Sequence, residues 1–134
     1  MLLSLPLLVI GLIVYNLVVL TLGVEALDAI ILDIHMGSGD TWVIDFSDLF
    51  EISCLGLLFV ELVRATAIGT SSVINHVLSM VVFVLGLVEF LLLSGFGNST
   101  FFIFLVMTVL DVVAGFIVTI ATSRRDLSVV GGHK

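Results

Sequence analysis

Four long apolar runs, each close to the roughly 20 residues a helix needs to cross a bilayer core, divide this chain. The first extends from Leu2 to about Gly23, interrupted only by Ser4, Pro6, Gly11, Asn16 and Thr21; Pro6 lies near enough to the start for a helix to tolerate it. The second, about Val43 to Ala65, carries Asp45, Asp48, Glu51 and Glu61 and is the least lipid-like. The third, about Ile74 to Ser94, and the fourth, Phe101 to about Thr122, are joined by Gly95-Phe96-Gly97-Asn98-Ser99-Thr100. Gly, Asn and Ser there supply turn and N-cap chemistry, which predicts a tight antiparallel hairpin of helices. Between the first two runs, Val24, Leu27, Ile31 and Ile34 recur at helical spacing with Ile30 beside them, while Glu25, Asp28 and His35 fall elsewhere around the helix. That pattern predicts an amphipathic helix over about 24–36, ended by Gly37-Ser38-Gly39-Asp40, with Trp42 anchored at the interface. The expected fold is all-α: a polytopic integral membrane protein with transmembrane helices at about 2–23, 43–65, 74–94 and 101–122 in an antiparallel bundle. One outer-surface helix and a short, polar, mobile tail at 123–134 complete a single membrane domain over 1–134.

Composition supports that picture. Of 134 residues 60% are hydrophobic and 11% charged, and the mean hydropathy is +1.40, more apolar surface than one small soluble domain can hide. Four Lys and Arg against eleven Asp and Glu give a net charge of −7, which argues against nucleic-acid binding and a polybasic membrane anchor. The lone cysteine, Cys54, excludes an internal disulfide and a Cys-rich metal cluster. A cleaved secretory signal would want a basic start and an apolar stretch of only about 7–15 residues, so the first run is expected to be a retained span. All four basic residues, Arg64, Arg124, Arg125 and Lys134, fall on one side of the four-span arrangement. By the positive-inside rule both termini and the 66–73 loop are expected in the cytoplasm, of a bacterial inner membrane, with the 24–42 loop and 95–100 turn outside.

Stripes of small and polar residues mark the faces expected to pack inward, because lipid tails give a helix no hydrophobic reason to prefer a partner. They are Ser47, Glu51, Cys54, Leu58, Glu61 and Ala65 in the second span, Asn75, Ser79, Val82, Gly86, Glu89 and Leu93 in the third, and Thr108, Asp111, Gly115 and Thr119 in the fourth. Counting about 1.5 Å per residue from the outer ends puts Asn16, Glu51 and Glu89 about 10 Å below the outer interface, Asp48 about 5 Å shallower and Asp111 about 5 Å deeper. The sequence therefore predicts one outer-half cluster of Asn16, Asp48, Glu51, Glu89 and Asp111. With no Lys or Arg nearby, protonation, hydration, a bridging cation or a partner's polar group is expected to answer these acids. Asp45 and Asp48 also suit a wet first turn, where negative side chains complement the helix dipole. Toward the cytoplasmic end Glu61 and Arg64, three apart on one helix, are expected to pair and snorkel, with His76 close by.

No motif identifies a reaction. Walker, zincin, nucleophile-elbow and CxxC patterns are missing, and Gly131-Gly132-His133-Lys134 is too short and terminal for a phosphate loop. Asn98-Ser99-Thr100 fits a glycosylation acceptor, but helix capping accounts for it. A bis-histidine haem lacks its second ligand, since His35 and His133 lie outside the spans. In length and span count the chain is similar to small multidrug transporters, and in span count to voltage sensors; the similarity stops at size and topology. The transporters carry a working glutamate in the first span, where this chain has Asn16, and voltage sensors an arginine ladder in the fourth, where it has Asp111. The expected role is non-enzymatic and without cofactors: a structural or assembly subunit of a larger membrane complex, with lipid, other membrane-protein subunits or further copies of itself as partners and no nucleic acid. The alternative is an oligomeric proton or cation channel or carrier using the intramembrane carboxylates.

Overall fold

The computed structural model describes residues 5–68 and 73–131. Among these the chain is mostly helical, with four α-helices: α1 (Leu8–Leu22), α2 (Phe46–Ile68), α3 (Val73–Leu92) and α4 (Ser99–Gly131). Between α1 and α2 lie a 3-10 turn (Val24–Asp28) and two strands, β1 (Ile30–His35) and β2 (Thr41–Asp45). Helix α4 packs along both α2 and α3, and α1 lies across α2 and α3. Two segments, α3 and Ser99–Arg125 of α4, are long and apolar enough to cross a membrane. Helix α1 is apolar but has 15 residues, and Asp48, Glu51, Glu61 and Arg64 interrupt α2.

The amphipathic helix expected over 24–36 is replaced by the 3-10 turn and an antiparallel hairpin. Gly23, at φ +91°, ends α1 by giving its N–H to Val19 O, a backbone geometry that suits glycine. After the turn, Ile30, Ile31 and Ile34 are β-branched and favour extended backbone. A three-residue loop follows: Gly39 N–H bonds to Met36 O at 3.0 Å, Gly39 takes φ +97°, and Met36 N–H bonds to Asp40 O at 2.8 Å. This is a type I turn closed by a glycine bulge, a common three-residue hairpin connection. Leu32 pairs with Ile44 and Ile34 with Trp42, so the same apolar residues that fit a helical period also fit a strand period. The fold is thus mostly helical, as expected, and the correction is confined to the segment between α1 and α2.

Helix ends shift as well. Asp45 and Asp48 exchange hydrogen bonds, Asp48 N–H to Asp45 Oδ1 at 2.9 Å and Asp45 N–H to Asp48 Oδ2 at 3.3 Å, a reciprocal capping box that starts α2 at Phe46 instead of Val43. Helix α4 continues past Thr122 to Gly131, so the segment expected as a mobile tail is helical to that point. His133 and Lys134 lie outside the described residues.

Apolar side chains fill the core and also cover the outside. Buried polar positions include Glu61, Ser79, Thr108 and Asp111, while Ile13, Leu17, Phe59, Val84, Leu91, Phe102 and Ile117 on the helix exteriors are among many exposed apolar side chains. The core centres on Tyr15, Phe96, Phe101 and Phe104, each at 0% exposure, with Phe50 beside them. Tyr15 meets Phe101 at 4.6 Å and Phe96 edge-on at 5.1 Å between ring centroids. Gly11 allows α1 its close approach: a Cβ there would lie 2.8 Å from both Cys54 Sγ and the Phe104 ring.

Candidate functional site

The buried face of each helix follows the stripe read from its sequence: Cys54, Leu58 and Glu61 on α2, Ser79, Val82 and Gly86 on α3, Thr108, Asp111 and Gly115 on α4. These faces converge, but their polar residues sort into two layers and not into the single outer cluster expected.

In the layer nearer the hairpin and the 95–98 turn, the outer one by that placing, Asn16 on α1 donates through Nδ2 to Glu89 Oε2 at 3.0 Å and to Leu12 O at 2.9 Å. Glu51 accepts from the Thr100 hydroxyl at the start of α4 and lies within electrostatic range of Asp48 and Asp45. Asp48 itself belongs to the cap of α2. Nearby, Tyr15 OH donates to Gly95 O at 2.8 Å and accepts from Asn98 Nδ2 at 2.7 Å, while Asn98 Oδ1 takes the Phe101 N–H at 3.0 Å. Asn98 therefore caps α4, as its sequence context implies, and also ties that turn to α1.

Asp111 sits elsewhere. Its carboxyl is hydrogen-bonded to Ser79 on α3 and in electrostatic range of Glu61 on α2. Ser79 lies ten residues before Glu89, so Asp111 and Glu89 are separated by roughly 15 Å along α3. The depth count fails because the helices start and stop at other places than the apolar runs do. Glu89 lies three residues from the end of α3 and Asp111 twelve from the start of α4.

Glu61 is the hub of this inner layer. Its Oε2 accepts the Leu7 N–H at 3.2 Å and stands 3.6 Å from Arg64 Nη2, and its Oε1 accepts from Asn75 Nδ2 at 3.3 Å. A carboxylate from α2 thus satisfies an N–H that the first turn of α1 cannot satisfy within the helix, at the end where the dipole favours negative charge. The single Ser79 hydroxyl proton is within reach of both Asn75 O, at 3.0 Å, and the Asp111 carboxylate. His76 packs its ring against Gly115, where any Cβ would collide with it, and its Nε2 is buried with no hydrogen-bond partner among the described residues. Glu61 with Arg64 is the expected pair, and His76 lies within its electrostatic range without bonding to it. Among the described residues no group of three or more His, Cys, Asp or Glu is arranged to hold a metal ion.

The sequence matches no protein-family model and no curated protein, and the fold matches no solved structure.

Between the layers the buried positions are apolar or small, with Thr108 the exception: Leu8, Gly11 and Leu12 on α1, Cys54 and Leu58 on α2, Val82 and Gly86 on α3, and Phe104, Leu105 and Met107 on α4. Thr108 returns its hydroxyl proton to Leu105 O at 2.6 Å. From Glu51 to Glu61 is ten residues of helix, so this apolar zone separates the layers by roughly 15 Å. Sequence reasoning missed Tyr15 and the link from Glu61 to Leu7. The first carried a signal, being the chain's one tyrosine set in an apolar run, where a phenolic hydroxyl needs a partner. The second carried none, because a backbone N–H is not a sequence feature.

Proposed function

We propose that this chain is a four-span membrane protein of a bacterial inner membrane, with both termini in the cytoplasm, serving as a structural or assembly subunit of a larger membrane complex and catalysing no reaction. One observation carries the reading: the buried acids Glu61 and Asp111 and the half-buried Glu51 and Glu89 bond to groups of the same chain, in two layers separated by packed aromatic and aliphatic side chains. Groups used in this way hold helices in register, which suits a scaffold better than a conducting path. The exposed apolar exteriors of all four helices further support a lipid or membrane-protein environment. Four spans are proposed with α1 and α2 included, α1 because it packs on the apolar core and α2 because its charges near the middle and inner end face the bundle.

Purification in mild detergent tests the role: stoichiometric co-purifying membrane proteins are expected, and a chain that purifies alone from its native membrane overturns it. Topology is tested by cysteine labelling in a Cys54→Ser background. A cysteine at position 35 is expected to react from outside, and labelling only from the cytoplasm overturns the orientation.

A second reading, a proton or cation pathway, draws on the proximity of Glu61 and Asp111, at 5% and 6% exposure. It requires ion flux in proteoliposomes that falls in Glu61→Gln with Asp111→Asn; no flux from the parent chain, or undiminished flux in that variant, ends it.

A further inference from the structure

Strand β2 belongs to a sheet of two strands among the described residues, and its side chains Trp42 and Val43 are 47% and 45% exposed. A lone two-stranded hairpin is marginal in water, and proteins guard sheet edges with lysine, proline, bulges or charge. β1 has such guards: a register irregularity between Ile30 and Leu32, and Asp33 within the strand. The interior of β2, Trp42-Val43-Ile44, has none. Counting the antiparallel alternation from the Met36 to Asp40 bond makes Ile34–Trp42 and Leu32–Ile44 the hydrogen-bonded pairs, so the backbone N–H and C=O of Thr41 and Val43 point to the free edge. Leu32, Ile34, Trp42 and Ile44 share one apolar face by this register.

Charge selects what can pair there. Glu25, Asp28, Asp33 and Asp40 are exposed around the hairpin, Asp45 ends β2, and no Lys or Arg precedes Arg64 in the chain. A second copy of the hairpin would bring like charges together, and an anionic lipid surface would be repelled. We infer that the β2 edge, Thr41–Asp45, accepts an extended basic segment of a partner protein as a third strand. Main-chain hydrogen bonds supply the contact, and Lys or Arg side chains of the incoming strand meet the acids at the strand ends. The inference rests on the accessory-subunit reading and gives that partner its chemistry.

The test uses the full chain in phosphatidylcholine nanodiscs, with Trp42, the chain's one tryptophan, as a fluorescent reporter. The probe is a peptide of alternating Lys and Val; the controls are a Glu–Val peptide and a helix-forming Ala–Lys peptide of equal charge. The Lys–Val peptide is expected to shift Trp42 emission, with both controls at least about tenfold weaker. Val43→Pro, which removes an edge N–H without breaking a hairpin bond, is expected to weaken binding by roughly tenfold. Asp40→Asn, which leaves the strands intact, is expected to weaken it several-fold at low salt and less at high salt. Failure of the Lys–Val peptide to bind, equal binding of either control, or an unchanged affinity in Asp40→Asn overturns the inference. So does quenching of Trp42 by brominated lipid before peptide is added, which would mean that lipid covers the face. Peptide binding by a chain that has no co-purifying subunit would leave the edge assignment standing and remove the accessory reading. Co-purification that survives both hairpin substitutions would do the reverse.

Discussion

Glu61 and Asp48 are carboxylates on the same helix, thirteen residues apart, and the chain uses them in opposite ways. Asp48 bonds to Asp45, three residues back, and closes the end of its own helix. Glu61 reaches Leu7 at the start of α1 and Asn75 on α3, so three helices depend on one side chain. Asp48 is partly exposed and acts locally; Glu61 is 5% exposed and accepts from groups on two other helical segments. Asp48 thus shapes one helix, while Glu61 fixes the arrangement of several.

The largest effect is therefore expected inside. Glu61→Leu removes a buried carboxylate that accepts from two partly buried donors, Leu7 N–H and the Asn75 amide, and should lower stability by about 2–3 kcal/mol in reversible unfolding in mixed detergent micelles. Glu61→Gln keeps one acceptor oxygen for the two donors and should retain about half of that stability. A Glu61→Leu chain that unfolds at the parent's midpoint would mean that the inner carboxylate does not hold α1 at all.

The contrast also explains what could be read beforehand. Which face of each helix turns inward was legible, because a stripe such as Ser79, Val82 and Gly86 is fixed by helical period and by the advantage of small residues where helices approach closely. Which acids meet was not. Relative height depends on side-chain contacts between distant residues, such as Gly86 under Leu105 and Phe90 against Phe101 and Phe102, and an error of a few residues at a helix end moves a carboxylate by about a turn. Asp111 was displaced from the outer cluster in this way. The hairpin escaped for a different reason: Val24, Leu27, Ile31 and Ile34 suit a helix, but β-branched residues and Gly39 decide the local backbone.

Tyr15→Phe probes the outer layer where it most resembles the inner one, since the phenol joins α1 to the turn before α4. Loss of the hydroxyl leaves Gly95 O and the Asn98 amide each one bond short while the aromatic packing stays. A decrease of about 1–2 kcal/mol is expected in the same assay. Tyr15→Phe combined with Asn98→Ala should be less harmful than the sum, because both remove the same bond. Strict additivity would show that Asn98 acts as a helix cap alone. Asp45→Ala should then cost about 1 kcal/mol, the usual loss on removing a cap, with faster amide exchange confined to the first turn of α2. Exchange spreading to α1 or α3 would give Asp45 an inter-helix role like that of Glu61.

Glu51→Gln is expected to do least, and it tests the comparison most closely because Glu51 shares a buried stripe with Glu61 while keeping outer-layer company. Its carboxylate is half-buried, stands near the negative charges of Asp48 and Asp45, and accepts from Thr100 at the mouth of the bundle. An amide oxygen can accept that same hydroxyl, and removing one of three neighbouring like charges offsets whatever strength the hydrogen bond loses. A change within about 0.5 kcal/mol, of either sign, should follow. Raising ionic strength screens charges in contact with water, so the small difference between parent and variant should shrink further in salt. A loss comparable to that of Glu61→Leu, insensitive to salt, would mean that the Glu51 to Thr100 contact holds α2 to α4 as firmly as Glu61 holds its neighbours.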